Sequence, residues 1–281
     1  MNSPRFSIIS PSYNQASFIE ANIQSVMNQD FSDVEHIIID GGSTDGTIDI
    51  LKKYPHLRWV SEPDNGQAHA LNKGFKMAKG EIVGWVNSDD MYRPNIFKKV
   101  NDAFSDPHVM VVYGDGYEID AGGRETKPML TRGMTYENLV KYWTWSCEYV
   151  QPSFFYRRQV FQEVGYLDES LQYVMDQEYF IRLTHRYTLQ YIPYALSNLR
   201  LYESSKTGKG MHHVISPWIW ELHRVSVRHW GKPVGAEYLG YLFSFIAALI
   251  GSFFKNLFFV RGSKSRTALS QCMHRSVHTS L

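Results

Sequence analysis

Two adjacent acidic residues, Asp89 and Asp90, follow directly after a short apolar run. The run from Ile82 to Val86 is typical of a strand covered on both faces, so both carboxylates are expected at its carboxyl end. Open α/β sheets bind ligands at that end of their strands. Because adjacent carboxylates repel, the pair favours a divalent cation of the Mg²⁺ type, with substrate phosphates completing its shell. The alternative is that the acids only cap a helix opened by Pro94.

Alternating strands and helices are predicted around this pair. The strands are expected at Phe6 to Ser10, Val34 to Asp40, Leu57 to Ser61 and Ile82 to Val86. Between them, helical patterns begin at a capping box, Ser17 to Glu20, at the turn before Ile48, and near Leu71. This order predicts an α/β fold with a mostly parallel, Rossmann-like sheet flanked by helices and joined by right-handed crossovers.

After a strand at Val109 to Tyr113 the alternation ends. Gly116 to Val150 is polar and aromatic without a clear period, which is typical of a substrate-facing part. A helical pattern returns at Asp176 to Arg186. The residues therefore predict a nucleotide-binding type of first half and a second part that faces the substrate.

The composition excludes several classes of protein. With 281 residues, of which 43% are hydrophobic, the chain can bury a full core. A formal net charge of +1 creates no overall positive potential that would attract nucleic acid, so we expect no nucleic-acid partner. Cys147 and Cys272 show no ligand spacing. Met1 to Arg5 leads directly into the first strand, so we expect no signal peptide and a cytoplasmic catalytic part.

Six motifs occur in an order and spacing that resemble family 2 glycosyltransferases of the GT-A fold. The likeness runs from about residue 5 to about residue 207. The motifs are Ser10-Pro11-Ser12-Tyr13-Asn14, Asp40-Gly41-Gly42-Ser43-Thr44-Asp45-Gly46, Ser61-Glu62-Pro63-Asp64-Asn65-Gly66 with Ala70-Leu71-Asn72-Lys73-Gly74, Asn87-Ser88-Asp89-Asp90, Gln151-Pro152-Ser153 and Met175-Asp176-Gln177-Glu178. The resemblance implies inverting transfer of a sugar from a nucleotide donor to a hydroxyl.

The resemblance assigns the nucleotide to the ends of the first three strands. It implies that Pro11, Tyr13 and Asp40 line the base site, that Asp40 accepts from the uracil imide, and that Asp64 faces the nucleotide. For Asp40 the alternative is that it caps the turn that follows. Lys73 could contact a phosphate, and the alternative is that it is a solvated side chain on a helix face.

The acidic pair corresponds to the Asp-x-Asp-like element of the family, although its first acidic position is Asn87 or Ser88 here. Successive side chains on an extended segment point in opposite directions, so one carboxylate is expected to bind metal directly. We assign Mn²⁺ or Mg²⁺ to Asp90, and the ribose, or support of the metal ligand, to Asp89. The cation would offset charge on the leaving diphosphate.

The resemblance places the catalytic base at Asp176, which would take the proton of the acceptor hydroxyl. Glu178 is the reserve candidate, and the alternative is that Asp176 only stabilises the first helical turn. Gln151 is expected to approach the donor sugar or the acceptor. Arg200 and Lys206 are expected to hold the diphosphate, with surface ion pairs as the alternative.

Aromatic side chains also lie near these motifs. Trp143 and Trp145 could stack on a sugar or contact lipid, and their alternative is core packing. This alternative is kept open.

An uncharged run from Tyr238 to Phe254, extended to Val260, precedes Arg261 and other basic residues. Its length is at the lower limit for a membrane span, and the charges favour a helix in the inner leaflet or a re-entrant hairpin. A soluble core helix and a homodimer face are the alternatives. We therefore predict a nucleotide-sugar-binding half at 1–115, an acceptor and base half at 116–210, and a helical, membrane-associated extension at 211–281.

The function predicted from these features is metal-assisted transfer from a UDP-sugar to a glycan or polyisoprenoid-linked acceptor. This activity would serve cell-surface polysaccharide, lipopolysaccharide or glycolipid synthesis at the inner face of the membrane. A nicotinamide-dependent oxidoreductase is disfavoured because no GxGxxG follows the first strand. A nucleotidyltransferase and a non-catalytic binding protein of the same fold are the remaining alternatives.

Overall fold

The computed structural model describes residues 3–144, 146–203, 205, 217–231, 239–240, 242–243, 246–247 and 250. The contacts divide the chain into two units, Met1–Tyr202 and Glu203–Leu281. Every predicted site residue except Lys206 belongs to the described part of the first unit. Lys206, Trp145 and most of the hydrophobic run lie outside the described residues.

One nine-stranded sheet organises the described part of the first unit. The strand order is β3-β2-β1-β4-β8-β6-β9-β5, with β7 paired to β6. The strands are β1 (Phe6–Ser12), β2 (Val34–Asp40), β3 (Arg58–Ser61), β4 (Ile82–Trp85), β5 (Met91–Tyr92), β6 (Val111–Ile119), β7 (Glu125–Met129), β8 (Phe154–Arg157) and β9 (Gln190–Arg200).

The helices connect these strands and cover the sheet. They are α1 (Ile19–Met27), α2 (Thr47–Leu51), α3 (Gln67–Met77), α4 (Phe97–Ala103), α5 (Tyr136–Val140), α6 (Val160–Glu163) and α7 (Met175–Arg186), with α8 (Pro217–Trp230) in the second unit. Short 3₁₀ turns occupy Tyr142–Thr144 and Gln151–Ser153. The predicted capping box is wrong, because Phe18 is the N-cap of α1 and no side chain caps it.

The expected α/β architecture is confirmed, but the sheet is mixed. Strands β3, β2, β1 and β4 are parallel, as predicted. On the far side of β4 the sheet continues with β8, which is antiparallel to both β4 and β6. The prediction of a mostly parallel sheet is therefore wrong beyond β4, where the described strands pair antiparallel except for the parallel pair β6 and β9. The reason is that the buried apolar strand Phe154–Arg157 pairs with the edge of β4 that a further parallel strand would need.

An aromatic cluster anchors the chain just beyond Asp90. Phe6 stacks on Phe97 at 4.9 Å between ring centroids, and Tyr92 stacks on Phe155 at 5.2 Å. All four side chains are buried. Burial of each such ring contributes about 1.5–3 kcal/mol. The segment that follows the acidic pair is therefore held firmly against the sheet.

In the second unit the described residues form α8 and a few helical positions between 239 and 250. No helix among the residues that the structure describes combines the length and apolar character needed to cross a bilayer. The predicted membrane association of residues 211–281 stays a prediction.

Candidate active site

The acid turn, Asn87–Asp90, lies at the carboxyl end of β4. It is closed by a hydrogen bond of 2.9 Å from the Asp90 amide to the Asn87 carbonyl. The Asp90 side chain is 2% exposed. Its Oδ1 accepts the main-chain N–H of Arg200 at 2.8 Å, and its Oδ2 accepts from Asn87 Nδ2 at 3.1 Å. Asp90 is therefore a buried carboxylate with a fixed direction.

Asp89 is half-buried beside it, and its Oδ2 accepts from the Tyr202 hydroxyl at 3.1 Å. Burial raises the pKa of Asp89, and burial together with the charge of Asp89 raises the pKa of Asp90 well above its usual value. Burial and the charge of Asp89 also raise the pKa of Tyr202 to about 12. Removing two negative charges from water is costly, so a nearby cation would stabilise this pair.

The donor set fits a hard divalent cation, because carboxylate oxygens are the ligands that Mg²⁺ and Mn²⁺ prefer. Within the described residues no group of three or more His, Cys, Asp or Glu side chains is placed to hold a metal. Asp90 and Asp89 would therefore need ligands from elsewhere, such as phosphate and water, to complete the shell.

Asn87 is the centre of the polar contacts around the acid turn. Its Oδ1 accepts from Gln67 Nε2 at 2.8 Å and from Trp85 Nε1 at 2.9 Å. Its Nδ2 donates to Asp90 and, at 3.3 Å, to Gln151 Oε1. A carboxylate at this position could not donate to Asp90. The amide thus replaces like-charge repulsion by a hydrogen bond.

Arg200 is almost fully buried behind the acid turn. Its Nε donates to the Asp89 carbonyl at 2.7 Å, and its Nη1 donates to the Asp120 and Ala121 carbonyls at 2.9 Å. The guanidinium also lies over the Phe18 ring at 4.8 Å. In this arrangement Arg200 ties the acid turn to the β6–β7 connection. Its role as a diphosphate contact stays a prediction that would require exchange of these bonds.

Tyr13 and Asp64 lie close together beyond the ends of β1 and β3. The Tyr13 side chain is 63% exposed. A Cβ built at Gly41 would meet Asp64 Oδ2 at 2.7 Å and the Tyr13 ring at 3.3 Å, so the three residues are adjacent. Asp64 Oδ1 accepts from the Gly66 amide at 2.8 Å. This group presents an open aromatic face beside a carboxylate.

Asp40 is fully buried at the end of β2, and its carboxylate is already hydrogen-bonded. Oδ2 accepts from the amides of Gly42 and Ser43 at 3.0 and 2.9 Å and from Ser61 Oγ at 2.7 Å, and Oδ1 accepts from Ser43 Oγ. This is the turn-capping arrangement named as the alternative. Pro11 is buried within β1. For both residues, contact with a base stays a prediction.

Asp176 lies in the first turn of α7 and is half-buried. Its Oδ1 accepts from the Gln177 amide at 2.8 Å, and the side chain also hydrogen-bonds the Tyr149 hydroxyl. Tyr149 is two residues before Gln151, which reaches Asn87. One short segment therefore joins Asp176 to the acid turn. The reserve candidate Glu178 is buried and paired with Arg182 at 2.7 Å.

The sequence analysis assigned no role to three polar residues of the site region, namely Ser10, Asn22 and His36. All are buried, and they connect β2, β1 and α1 to the acid turn. The available signal was Asn22, which shares the buried face of α1 with Ile19 and Val26. A polar residue on an apolar helix face is a reason to look for a partner.

Comparison with solved structures supports the fold. Residues 1–349 of S. aureus TarS in complex with UDP-GlcNAc align with a TM-score of 0.64 and 22% identity, covering 86% of this chain and 73% of that one. A Pyrobaculum calidifontis mannosyltransferase in complex with GDP-Man and Mn²⁺ aligns with a TM-score of 0.59 and 15% identity, covering 99% and 82%. At these identities the likeness shows the fold alone.

Comparison of sequences identifies the family. An uncharacterized glycosyltransferase of Nostoc is 27% identical over 176 residues, covering 58% of this chain and 54% of that protein. Chondroitin synthase of Escherichia coli is 33% identical over 125 residues, covering 43% and 18%. The chain spans about half the length of the first curated relatives it matches. The model of the family described as glycosyl transferase family 2 matches residues 7–165, more than half of the chain, and the protein belongs to this family.

Proposed function

We propose that this protein transfers a sugar from a UDP-sugar to a hydroxyl of a glycan or lipid-linked acceptor, with inversion and with help from a divalent cation. The observation that carries the proposal is the acid turn, in which the half-buried Asp89 lies beside the buried Asp90 at the carboxyl end of a central strand. Placing two adjacent carboxylates where water is partly excluded is costly, and a metal bound to a diphosphate would offset that cost.

The donor would lie across the ends of the parallel strands. The exposed ring of Tyr13 offers a stacking face for the base, and Asp64 beside it offers an acceptor for the nucleoside. Asp90 would hold the cation, and Asp89 would contact the ribose or support Asp90. When bound, the cation would neutralise charge that develops on the departing diphosphate.

Asp176 would act as the general base on the acceptor side. As the acceptor oxygen forms its bond to the anomeric carbon, the bond from that carbon to the diphosphate oxygen breaks and the hydroxyl proton passes to the Asp176 carboxylate. Attack from the face opposite the leaving group inverts the anomeric carbon. The hydrogen bonds of Asp176 to Tyr149 and to the Gln177 amide would fix the direction of its carboxylate.

Some of the relatives and the second unit support the proposed acceptor class. Relatives named chondroitin synthase and hyaluronan synthase support a role in polysaccharide synthesis and transfer of a hexosyl or N-acetylhexosaminyl group. Leu239, Phe243, Ile246 and Ile250 are exposed at helical spacing. An exposed apolar row of this kind supports peripheral attachment to the inner face of the membrane.

A screen of UDP-, GDP- and TDP-sugars by thermal unfolding, with and without Mn²⁺, tests the donor proposal. Stabilisation by one nucleotide sugar that requires Mn²⁺ is expected, and no response to any of them would refute it. Asp176→Asn should keep this stabilisation and lose transfer by about 10²- to 10⁴-fold. The exposed Asp102→Asn on α4 is the matched control and should transfer normally. Full transfer by Asp176→Asn would refute the assignment of the base.

A further inference from the structure

A chain of buried polar side chains runs from β2 to the acid turn. His36 Nε2 lies 3.0 Å from Ser10 Oγ, and Ser10 Oγ lies 3.2 Å from Asn22 Oδ1. Asn22 Nδ2 donates to the carbonyl of Asn87 at 2.9 Å and to the carbonyl of Asp90 at 3.0 Å. The side chains of the first three residues are at most 3% exposed. No predicted site residue belongs to this relay.

The hydrogen atoms in the relay can be assigned without ambiguity. Carbonyl oxygens only accept, so the Asn22 group that faces them must be its NH₂, and both of its protons are used. Asn22 Oδ1 must then accept the single hydroxyl proton of Ser10. Ser10 Oγ in turn accepts from His36 Nε2–H. The other ring nitrogen, Nδ1, is buried without a hydrogen-bond partner among the described residues, and burial lowers the pKa of His36, so the ring is neutral. All the bonds point towards the acid turn.

We propose that Asn22 is a positioning residue that holds the two ends of the acid turn and thereby aims Asp89 and Asp90 at the metal and diphosphate. The proposal rests on the function proposed above. The two carbonyls that Asn22 binds belong to the first and last residues of the turn. Fixing both ends limits the rotation of the peptide units that carry the carboxylates. Ser10 and His36 fix the Asn22 amide in turn.

Packing alone does not require an amide at this position. Ile19, Ile23 and Val26 share the buried face of α1 with Asn22, so an apolar side chain would suit the same surface. A buried amide is unfavourable unless its polar atoms are paired, and here every one of them is. The property that distinguishes Asn22 from an apolar residue is therefore its pair of donors to the acid turn.

α1 and the residues just after it also bind the main chain that follows the acid turn. Ser25 Oγ accepts from the Tyr92 amide at 3.1 Å, and Gln29 Nε2 donates to the Arg93 carbonyl at 2.8 Å. Both bonds involve residues that follow Asp90 in the chain. They hold the segment that leads into α4, whereas Asn22 alone reaches residues 87 and 90 from the buried face of α1.

The test compares Asn22→Ala with Asn72→Ala in the full chain. Asn72 is also a buried asparagine, and its amide binds the main chain of a different loop, at the Leu167 carbonyl and amide. We measure the Kd of UDP with and without Mn²⁺ by calorimetry, well below the unfolding temperature of each variant. Asn22→Ala should weaken Mn²⁺-dependent binding by about 10- to 100-fold. Asn72→Ala should leave the Kd close to the wild-type value.

Hydrogen exchange at the amides of residues 88–90 reports the acid turn directly and needs no ligand. Loss of the two Asn22 bonds should speed exchange there by about tenfold in the metal-free protein. Ser10→Ala removes the donor to Asn22 Oδ1 and the acceptor for His36 but leaves the two Asn22 bonds to the acid turn, so it should give a smaller change in both measurements than Asn22→Ala. Its control is Ser7→Ala, a buried serine on the same strand that accepts from the Gly80 amide at 2.7 Å.

The outcomes separate this proposal from the function on which it rests. If the wild-type protein binds no UDP with or without Mn²⁺, the proposed function fails, and exchange at residues 88–90 alone decides the role of Asn22. If the wild type binds but Asn22→Ala has the same Kd, the positioning proposal is overturned. Unchanged exchange at the turn overturns it as well. An equal loss of binding in Asn72→Ala would show a general loss of stability instead of positioning, and so also overturns it.

Discussion

Acidification should destabilise this protein through one buried histidine, His36. Burial, with a smaller contribution from the charge of His56, lowers the pKa of His36 from 6.5 to about 3. The imidazole is 3% exposed and donates to Ser10 Oγ in its neutral form. A protonated ring at this position would have a charge in the core with no carboxylate to pair with it, so folding requires the neutral ring.

The direction and size of the effect follow from the two pKa values. Below pH 6.5 the unfolded chain binds a proton at His36, whereas the folded chain does not until the pH approaches about 3. The stability that His36 contributes is therefore fully present above pH 6.5 and is lost as the pH falls towards 3. At pH 5 the loss is about 2 kcal/mol, and the full difference between the two states is about 5 kcal/mol.

Urea unfolding at pH 7.5 and pH 5 measures this loss, with His36→Gln as the reference variant. Glutamine keeps a donor for Ser10 and does not titrate. The pKa values of Asp89 and Asp90 are raised in the folded protein, so these two groups favour the folded state as the pH falls. This effect opposes that of His36 but is the same in both proteins. The wild type should therefore lose about 2 kcal/mol more than His36→Gln between the two pH values. An equal loss in both proteins would refute the reasoning.

Three other substitutions test separate parts of the structure. Tyr13→Ala should weaken UDP binding by about 2- to 12-fold in calorimetry, since an aromatic pair contributes about 0.5–1.5 kcal/mol beyond its burial; an unchanged Kd would exclude the stacking role. Asn87→Asp should lower the unfolding temperature in EDTA, because a carboxylate replaces the donor to Asp90. Addition of Mn²⁺ should then raise the unfolding temperature by more than it does in the wild type, and a smaller rise would contradict this. Gly74→Ala should destabilise the fold by about 1–3 kcal/mol in urea unfolding, because its Cβ would overlap Ile9 Cγ2 and this outweighs the helix propensity gained; a more stable variant would show that α3 can move away from β1.

Local sequence patterns predicted the parallel half of the sheet well. The run from Val34 to Asp40 coincides with β2, and the other three apolar runs differ from β1, β3 and β4 by one or two residues at their ends. β1 and β4 are fully buried and β2 is buried over its last five residues, so these strands are recognisable from their own apolar residues. The same runs place Asp64 after the carboxyl end of β3 and Asp89 and Asp90 after that of β4, as the structure has them.

The remaining strands depend on partners that are distant in sequence. β9 contains Pro193 and several exposed residues, and it becomes a strand by pairing with β6 and β5. Likewise, the bonds of Asn22 and Arg200 end on main-chain carbonyls, which every residue possesses. No residue type marks a carbonyl as an acceptor, so these contacts could not be predicted without coordinates.

Arg200 has a consequence for the order in which the site can form as the chain leaves the ribosome. The family match ends at residue 165, yet Asp90 receives its buried amide donor from residue 200, and the Asp89 carbonyl receives the Arg200 side chain. A nascent chain that contains the Asn87–Asp90 segment but ends before Arg200 therefore lacks these two hydrogen bonds to the acid turn. The acid turn receives all the contacts described above only when β9 and Tyr202 are added, so residues beyond the end of the family match complete it.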